Sequence, residues 1–240
     1  MKIFPLYFLH PLLNQYDANK LKESQLEPKQ QESKLTFWGA GTARTLRPIW
    51  VAEELGLTYQ LNPIGPRTGE TQTKQYTDLN PKQKVPFCED GDLKLSETIA
   101  ISRYLISKYG SADTLISPHT IEERAKEDEW LAFIYGELDE TSLYVMRRHG
   151  ALAHIYGEAP TALEAAEEYV KKQLNVINMH LQNRDYILND NFTLSDIFLI
   201  TCLNWVKAYG IDTPNILQEY RSRIVSREAY IKAMEINQQS

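Results

Sequence analysis

The stretch Lys84–Tyr109, KVPFCEDGDLKLSETIAISRYLISKY, decides the fold. Val85-Pro86-Phe87-Cys88 is a short apolar run that reads as a strand. Asp90-Gly91 is a tight-turn dipeptide, because Gly accepts positive φ and Asp tolerates it. Leu93 and Leu95 then alternate with polar residues, the pattern of a returning strand. Ser96-Glu97-Thr98 offers caps for a helix whose apolar positions are Ile99, Ile101, Leu105 and Ile106, and Gly110 closes it. The spacing predicts strand, turn, strand, helix, with a polar cluster where the helix begins. Free N–H groups and the positive end of the helix dipole attract a carboxylate there. A carboxylate ligand is therefore expected beside Glu97 and Thr98, with the backbone edge at Val85 close by.

Upstream, Leu35-Thr36-Phe37-Trp38 reads as a strand and Gly39-Ala40-Gly41-Thr42 as a turn. A helix is expected from about Arg44 to Leu55, closed by Gly56, with a second strand over Thr58–Asn62. The order is a βαβ unit followed by a ββα unit, which is the thioredoxin-like layout. Downstream, residues 109–120 read as a linker and everything after them as helix. Ile121 to about Arg148 reads as one long helix and Thr161–Leu181 as another. Asn191–Tyr209 carries the best start signal: Thr193 as N-cap, Asp196 reaching back to it, and Phe192 with Ile197 as a hydrophobic staple. Asp196 reads as a folding determinant rather than a catalytic acid. The expected fold class is an α/β thioredoxin-like N-terminal domain over residues 35–109, followed by an all-α helical C-terminal domain over 120–240.

At this point the chain resembles the soluble, cytosolic-type glutathione S-transferase superfamily. The resemblance rests on LTFWGAGTARTLRPIWVAEELGL, NPKQKVPFCEDGDLKLSETIAISRYL and NFTLSDIFL. It implies that Pro86 follows a cis bond and that the Val85 backbone pairs with the cysteinyl part of glutathione. It implies that Glu97 and Thr98 hold the γ-glutamyl end; the family's usual Ser is replaced by Thr98, which keeps the hydroxyl. Lys84 stands where some members set a basic residue against the glycine carboxylate, and otherwise reads as a solvated Lys. The implied reaction is attack of the glutathione thiolate on an electrophilic small molecule or a peroxide. Glutathione is the co-substrate, with no metal or organic cofactor, and the family implies a homodimer whose helical domain supplies the acceptor pocket. The alternative is a non-catalytic glutathione-binding or assembly module of the same fold. A disulfide reductase is disfavoured, because no Cys stands at Thr42 or beside it.

The catalytic question sits on Thr42, Arg44 and Thr45. Free glutathione is mostly thiol at neutral pH, since an unperturbed thiol titrates at about 8.5. A helix N-terminus, a cation or a hydrogen-bond donor aimed at the sulfur lowers that value. The family uses Tyr, Ser or Cys just after the first strand, and the helix end AEELGL aligns Thr42 with the usual Ser. Thr42 reads either as the donor to the sulfur or as an ordinary N-cap. Arg44 and Thr45 are the substitutes, Arg44 by charge alone.

Composition fits this picture. The 240 residues carry a net charge of −6, which argues against nucleic acid or an anionic membrane as partner. Only Cys88 and Cys202 occur, in no metal-binding or disulfide spacing, so a reducing cytoplasm is expected. Cys88 reads as a buried, unreactive thiol. Residues 1–34 fall outside the pattern and read as a dispensable, disordered extension rather than a targeting device. Gly39-Ala40-Gly41 lacks the third glycine of a dinucleotide fingerprint, and His149 and His154 are poorly spaced for a metal. The charge run Glu122, Glu123, Lys126, Glu127 and Asp128 reads as a solvated helix face. Tyr135 and Tyr144 are candidates for an acceptor pocket, with ordinary packing as the plainer reading.

Overall fold

A computed structural model describes residues 34–111, 118, 120–188 and 191–239. They belong to one compact unit, Ser33–Ser240. The expected extension and most of the expected linker lie outside the described residues. The first half contains β1 (Leu35–Trp38), α1 (Ala43–Glu54), β2 (Gln60–Asn62), α2 (Lys74–Leu79), β3 (Phe87–Asp90), β4 (Leu93–Ser96) and α3 (Thr98–Tyr109). The strands form one sheet in the order β2-β1-β3-β4. β1 and β2 are parallel, as the α1 crossover requires, and the other pairs are antiparallel. The register sets Phe37 opposite Cys88 and Cys88 opposite Leu95.

The hairpin turns one residue later than the sequence pattern suggests. Asp90 pairs with Leu93, so Gly91-Asp92 makes the turn, and Gly91 supplies the positive φ of 61°. Asp90 stays in the strand because α3 grips its carboxylate. Tyr104 and Tyr109 hydroxyls donate to it at 2.7 and 2.5 Å, and Lys108 Nζ at 2.6 Å.

The second half contains α4 (Ile121–Ala132), a π-helical segment (Phe133–Leu143), α5 (Tyr144–His149), α6 (Ala153–Tyr156), α7 (Pro160–His180), α8 (Leu194–Ala208), α9 (Asn215–Val225) and α10 (Glu228–Asn237). The single long helix expected over Ile121–Arg148 is thus α4 and α5 joined by wider turns. Two hydroxyls match the wider spacing: Thr141 donates to the Gly136 carbonyl, and Ser142 to the Glu137 carbonyl at 2.7 Å, each five residues back. Such π-helical turns are uncommon and occur often at functional sites. The charge run on α4 also departs from expectation. Glu127 is buried, at 1 % exposure, and pairs with Arg103 of α3, which reaches Asp128 as well. Burial raises the Glu127 carboxyl above its ordinary value, against the opposing pull of Arg103.

One hydrophobic cluster runs from Leu35 and Phe37 on the sheet, through Ile49, Trp50 and Val51 of α1, to Leu138, Phe198 and Ala233 in the helical half. α1 lies at its centre, packed on α3, α8 and α10. Within this core Asp196 is fully buried and accepts from the backbone of Thr193 at 2.8 Å, the backbone of Ile187 at 2.9 Å and the Tyr220 hydroxyl at 2.6 Å. It sits away from the cleft described below, which agrees with its reading as a folding determinant.

Candidate functional site

The site begins with a loop held from beneath. The Tyr76 hydroxyl and the Asn80 amide, both on or next to α2, donate to the Lys84 carbonyl at 2.6 and 2.9 Å. Both residues are buried, so they fix where Val85 and Pro86 emerge. The Val85–Pro86 peptide is cis. Gly39 lies directly behind: a Cβ there would sit 2.4 Å from the Val85 Cβ. Only glycine permits that approach, and its φ of 107° is also one that other residues rarely adopt. Among the described residues nothing bonds the Val85 N–H or C=O, so a backbone edge is left for a ligand.

α3 starts beside this edge. Its first residue boundary, Glu97, has φ of 75°, and no side chain caps the helix. The expected caps are all engaged elsewhere. Lys82 Nζ donates to Ser96 Oγ at 3.0 Å and to Glu97 Oε1 at 2.8 Å. The Thr98 hydroxyl donates to the Arg44 carbonyl at 3.0 Å. Its single proton is therefore spent inside the protein and is not free for a ligand carboxylate. What α3 offers is its uncapped N–H groups and dipole. Strained backbone at a non-glycine residue such as Glu97 is tolerated where the surroundings hold it, and it clusters at ligand sites.

α1 starts on the other side of Val85. Thr42 is its N-cap: the Thr42 hydroxyl accepts from the Thr45 N–H at 3.0 Å, and the Thr45 hydroxyl accepts from the Thr42 N–H at 3.0 Å. Asn237, at the end of α10, locks this box. Its Nδ2 donates to the Thr42 carbonyl at 3.1 Å, so its Oδ1 must be the acceptor for Thr45 Oγ1 at 2.7 Å. With the Thr45 proton spent on Asn237, the Thr42 proton is left to point at Thr45 Oγ1, 3.0 Å away, or into the cleft. The Asn237 carbonyl accepts from Gly41 N–H at 2.7 Å as well. Asn237 carries no signal in the sequence, since its role depends on a helix end folding back across the chain.

Arg44 and Arg47 converge on Asp139 of the π-helical segment. Arg44 Nη2 lies 2.7 Å from Asp139 Oδ1 and 3.0 Å from Glu140 Oε1. Arg47 is fully buried, 2.5 Å from Asp139 Oδ2, and donates to Thr201 Oγ1 at 2.8 Å. Burial acts to lower the Arg44 pKa, but Asp139 and then Glu140 outweigh it, so the guanidinium is held charged. The two carboxylates already balance that charge, which weakens Arg44 as a stabiliser of a second anion.

These parts line one cleft of about 410 Å³. It collects Thr42, Arg44, Lys84, Val85, Pro86, Glu97 and Thr98. Thr45 is the exception among the expected residues, buried beneath Thr42 rather than lining the cleft. Tyr135 and Tyr144 do line it, with Trp205 of α8. Arg67, Gln83, Arg147 and Tyr156 were not singled out by sequence reasoning. Gln83 follows Asn80-Pro81 at φ of 55°, a turn that the sequence marks only by the proline. Cys88 and Cys202 are buried, and burial pushes each thiol up to about 12. Neither lines the cleft. Among the described residues no group of His, Cys, Asp and Glu could hold a metal, and no helix is long and apolar enough to cross a membrane.

Comparison with known proteins identifies the family. The profile of the glutathione S-transferase N-terminal domain matches residues 33–107, and that of the glutathione S-transferase C-terminal domain matches residues 133–228. A glutathione S-transferase of Hyoscyamus muticus is 26% identical over 201 residues, covering 80% of this chain and 93% of the relative. Glutathione S-transferase 3 of Zea mays is 32% identical over 153 residues, covering 63% of this chain and 68% of the relative. Among solved structures, a theta-class glutathione S-transferase of Xanthomonas axonopodis pv. citri with glutathione bound superposes with a TM-score of 0.70 at 26% identity, covering 84% of this chain and 97% of that one. With both domain profiles matched in order and the fold shared along most of its length, the chain belongs to the glutathione S-transferase family.

Proposed function

We propose that the cleft binds glutathione and presents its sulfur, as thiolate, to a small electrophile. The observation that carries this reading is the convergence of three features on one cleft: the uncapped start of α3, the unbonded Val85 backbone edge and the Thr42 hydroxyl, whose proton can turn from Thr45 into the cleft. The γ-glutamyl carboxylate goes to the N–H groups of α3, and Glu97 is placed to meet the γ-glutamyl ammonium. The cysteinyl backbone pairs with Val85 in the manner of an added strand. Lys84 takes the glycine carboxylate. The sulfur then lies by the start of α1, where a helix N-terminus and a hydroxyl donor favour the thiolate. Sulfur is the nucleophile, and the protein contributes position and electrostatic stabilisation. On the family reading the protein is a cytoplasmic homodimer.

Calorimetric titration tests the binding step. Glutathione should bind at least about tenfold more tightly than cysteinylglycine, which lacks the γ-glutamyl group, because a charge-assisted hydrogen bond is worth roughly 1.5–3 kcal/mol. Equal affinity for the two thiols would overturn the placement at α3. Tight glutathione binding without conjugation of any electrophile would instead favour a non-catalytic binding module.

A further inference from the structure

The cleft carries more positive charge than glutathione uses. Its two lining carboxylates already have partners, Glu97 with Lys82 and Glu140 with Arg44. Arg67, Lys84 and Arg147 also line it, and none of the three makes an ion pair among the described residues. Glutathione brings two carboxylates and one ammonium. The start of α3 accounts for one carboxylate, and Lys84 or Arg67 for the other. Two cations remain, Arg147 and whichever of Lys84 and Arg67 is not used, and of these only Arg147 comes from the helical wall rather than the wall that carries Val85 and Thr98.

Arg147 sits one helical turn after Tyr144 on α5, with its guanidinium carbon 5.8 Å from the Trp205 ring centroid. Tyr144 Oη accepts from Arg67 at 3.4 Å. Arg67, ahead of Lys84 and Arg148, holds the Tyr156 phenol below its ordinary range, which reports the same surplus of positive charge. A half-buried guanidinium with no counter-ion among the described residues gives up hydration that the Trp205 ring only partly returns. In a concave site it gathers anions from solution, and its planar fork matches a carboxylate with two parallel hydrogen bonds.

We propose that the electrophile conjugated here carries an anionic group, a carboxylate in the simplest case, on a planar ring. Arg147 holds the anion, and Tyr144 and Trp205 border the ring. This rests on the glutathione-conjugating reading above. For an aryl chloride the step balances as follows: a carbon–sulfur bond forms at the ring carbon, chloride leaves with the bonding electrons, and the thiol proton passes to water. The anion on the ring takes no part in the bond changes. It anchors the ring so that the reacting carbon faces the sulfur near Thr42.

The test uses two synthetic conjugates, S-(carboxynitrophenyl)glutathione and its aryl methyl ester, titrated calorimetrically into the full chain beside glutathione itself. The wild-type protein should prefer the carboxylate conjugate by about tenfold, which is the low end for a charge-assisted pair at a partly exposed site. The preference should shrink with added salt. Arg147→Gln should bring the ratio close to one, and Arg147→Lys should keep part of it. If Arg147→Gln does not fold, the wild-type ratio and its salt dependence decide alone. Glutathione binding with no preference between the conjugates overturns this inference and leaves the conjugating reading intact. Failure to bind glutathione and both conjugates overturns the two together.

Discussion

Thr42→Ala separates the two duties of the α1 start. As an N-cap, Thr42 accepts from the Thr45 N–H at 3.0 Å, and losing that bond should cost about 1 kcal/mol. For a domain of this size that lowers the Tm by about 2–4 °C. As a thiolate donor, its contribution is a difference. The hydroxyl can donate to Thr45 Oγ1 at 3.0 Å when no ligand is present, and must give up that neutral bond to meet the sulfur. A neutral bond is worth about 0.5–1.5 kcal/mol and one to a charged group about 1.5–3 kcal/mol. The net gain is then about 1–1.5 kcal/mol, or roughly one pKa unit of the bound thiol. The thiolate absorbance of the glutathione complex, followed against pH, reads this directly. Thr42→Ala should titrate about one unit higher and conjugate about tenfold more slowly at neutral pH. Thr42→Ser keeps both the acceptor and the donor, so it should restore the titration and most of the Tm. A bound-thiol titration identical in wild type and Thr42→Ala refutes the donor role, and the α1 dipole alone would then account for the activation. Thr45 is a poor understudy, because its proton is committed to Asn237.

Further outcomes are expected elsewhere. Asp196→Ala leaves the Tyr220 hydroxyl and two backbone N–H groups buried without an acceptor, so it should cost about 3 kcal/mol or more in a denaturant melt and leave conjugation by the folded fraction unaffected; an unchanged midpoint would refute the structural reading. Asp139→Ala strips from buried Arg47 its only carboxylate among the described residues and should cost about 3–5 kcal/mol, with a loss under 1 kcal/mol counting against the account. Cys88 and Cys202 should resist alkylation in the native state at neutral pH and react on unfolding, since each thiol is pushed up to about 12. The folded state holds these protons where the unfolded chain releases them, so stability should fall as pH rises from about 9 toward 12. Rapid native-state labelling of either cysteine would contradict the burial.

Much of the first half was legible because its signals are local. Alternation at Leu93 and Leu95, a glycine after Asp90 and the cap at Thr42 act over a few residues, and each produced the expected element or one displaced by a single position. The candidate ligand surface followed from the same logic, since a helix start has free N–H groups whatever else the chain does. What the residues would do with their protons and charges was not legible. The Thr98 hydroxyl goes to a carbonyl 54 residues away. Arg44 and Arg47 share an aspartate 95 and 92 residues on, and Thr45 spends its proton on Asn237, 192 residues on. A buried donor takes whichever acceptor packing brings within about 3 Å, and sequence spacing has no say in that choice. The wider turns of Phe133–Leu143, the burial of Glu127 and the lack of an ion pair for Arg147 among the described residues have the same origin. In the first half the sequence alone determined which strands and long helices form and which end of a helix awaits an anion; the tertiary structure decided which polar groups are already satisfied and which are left for a ligand.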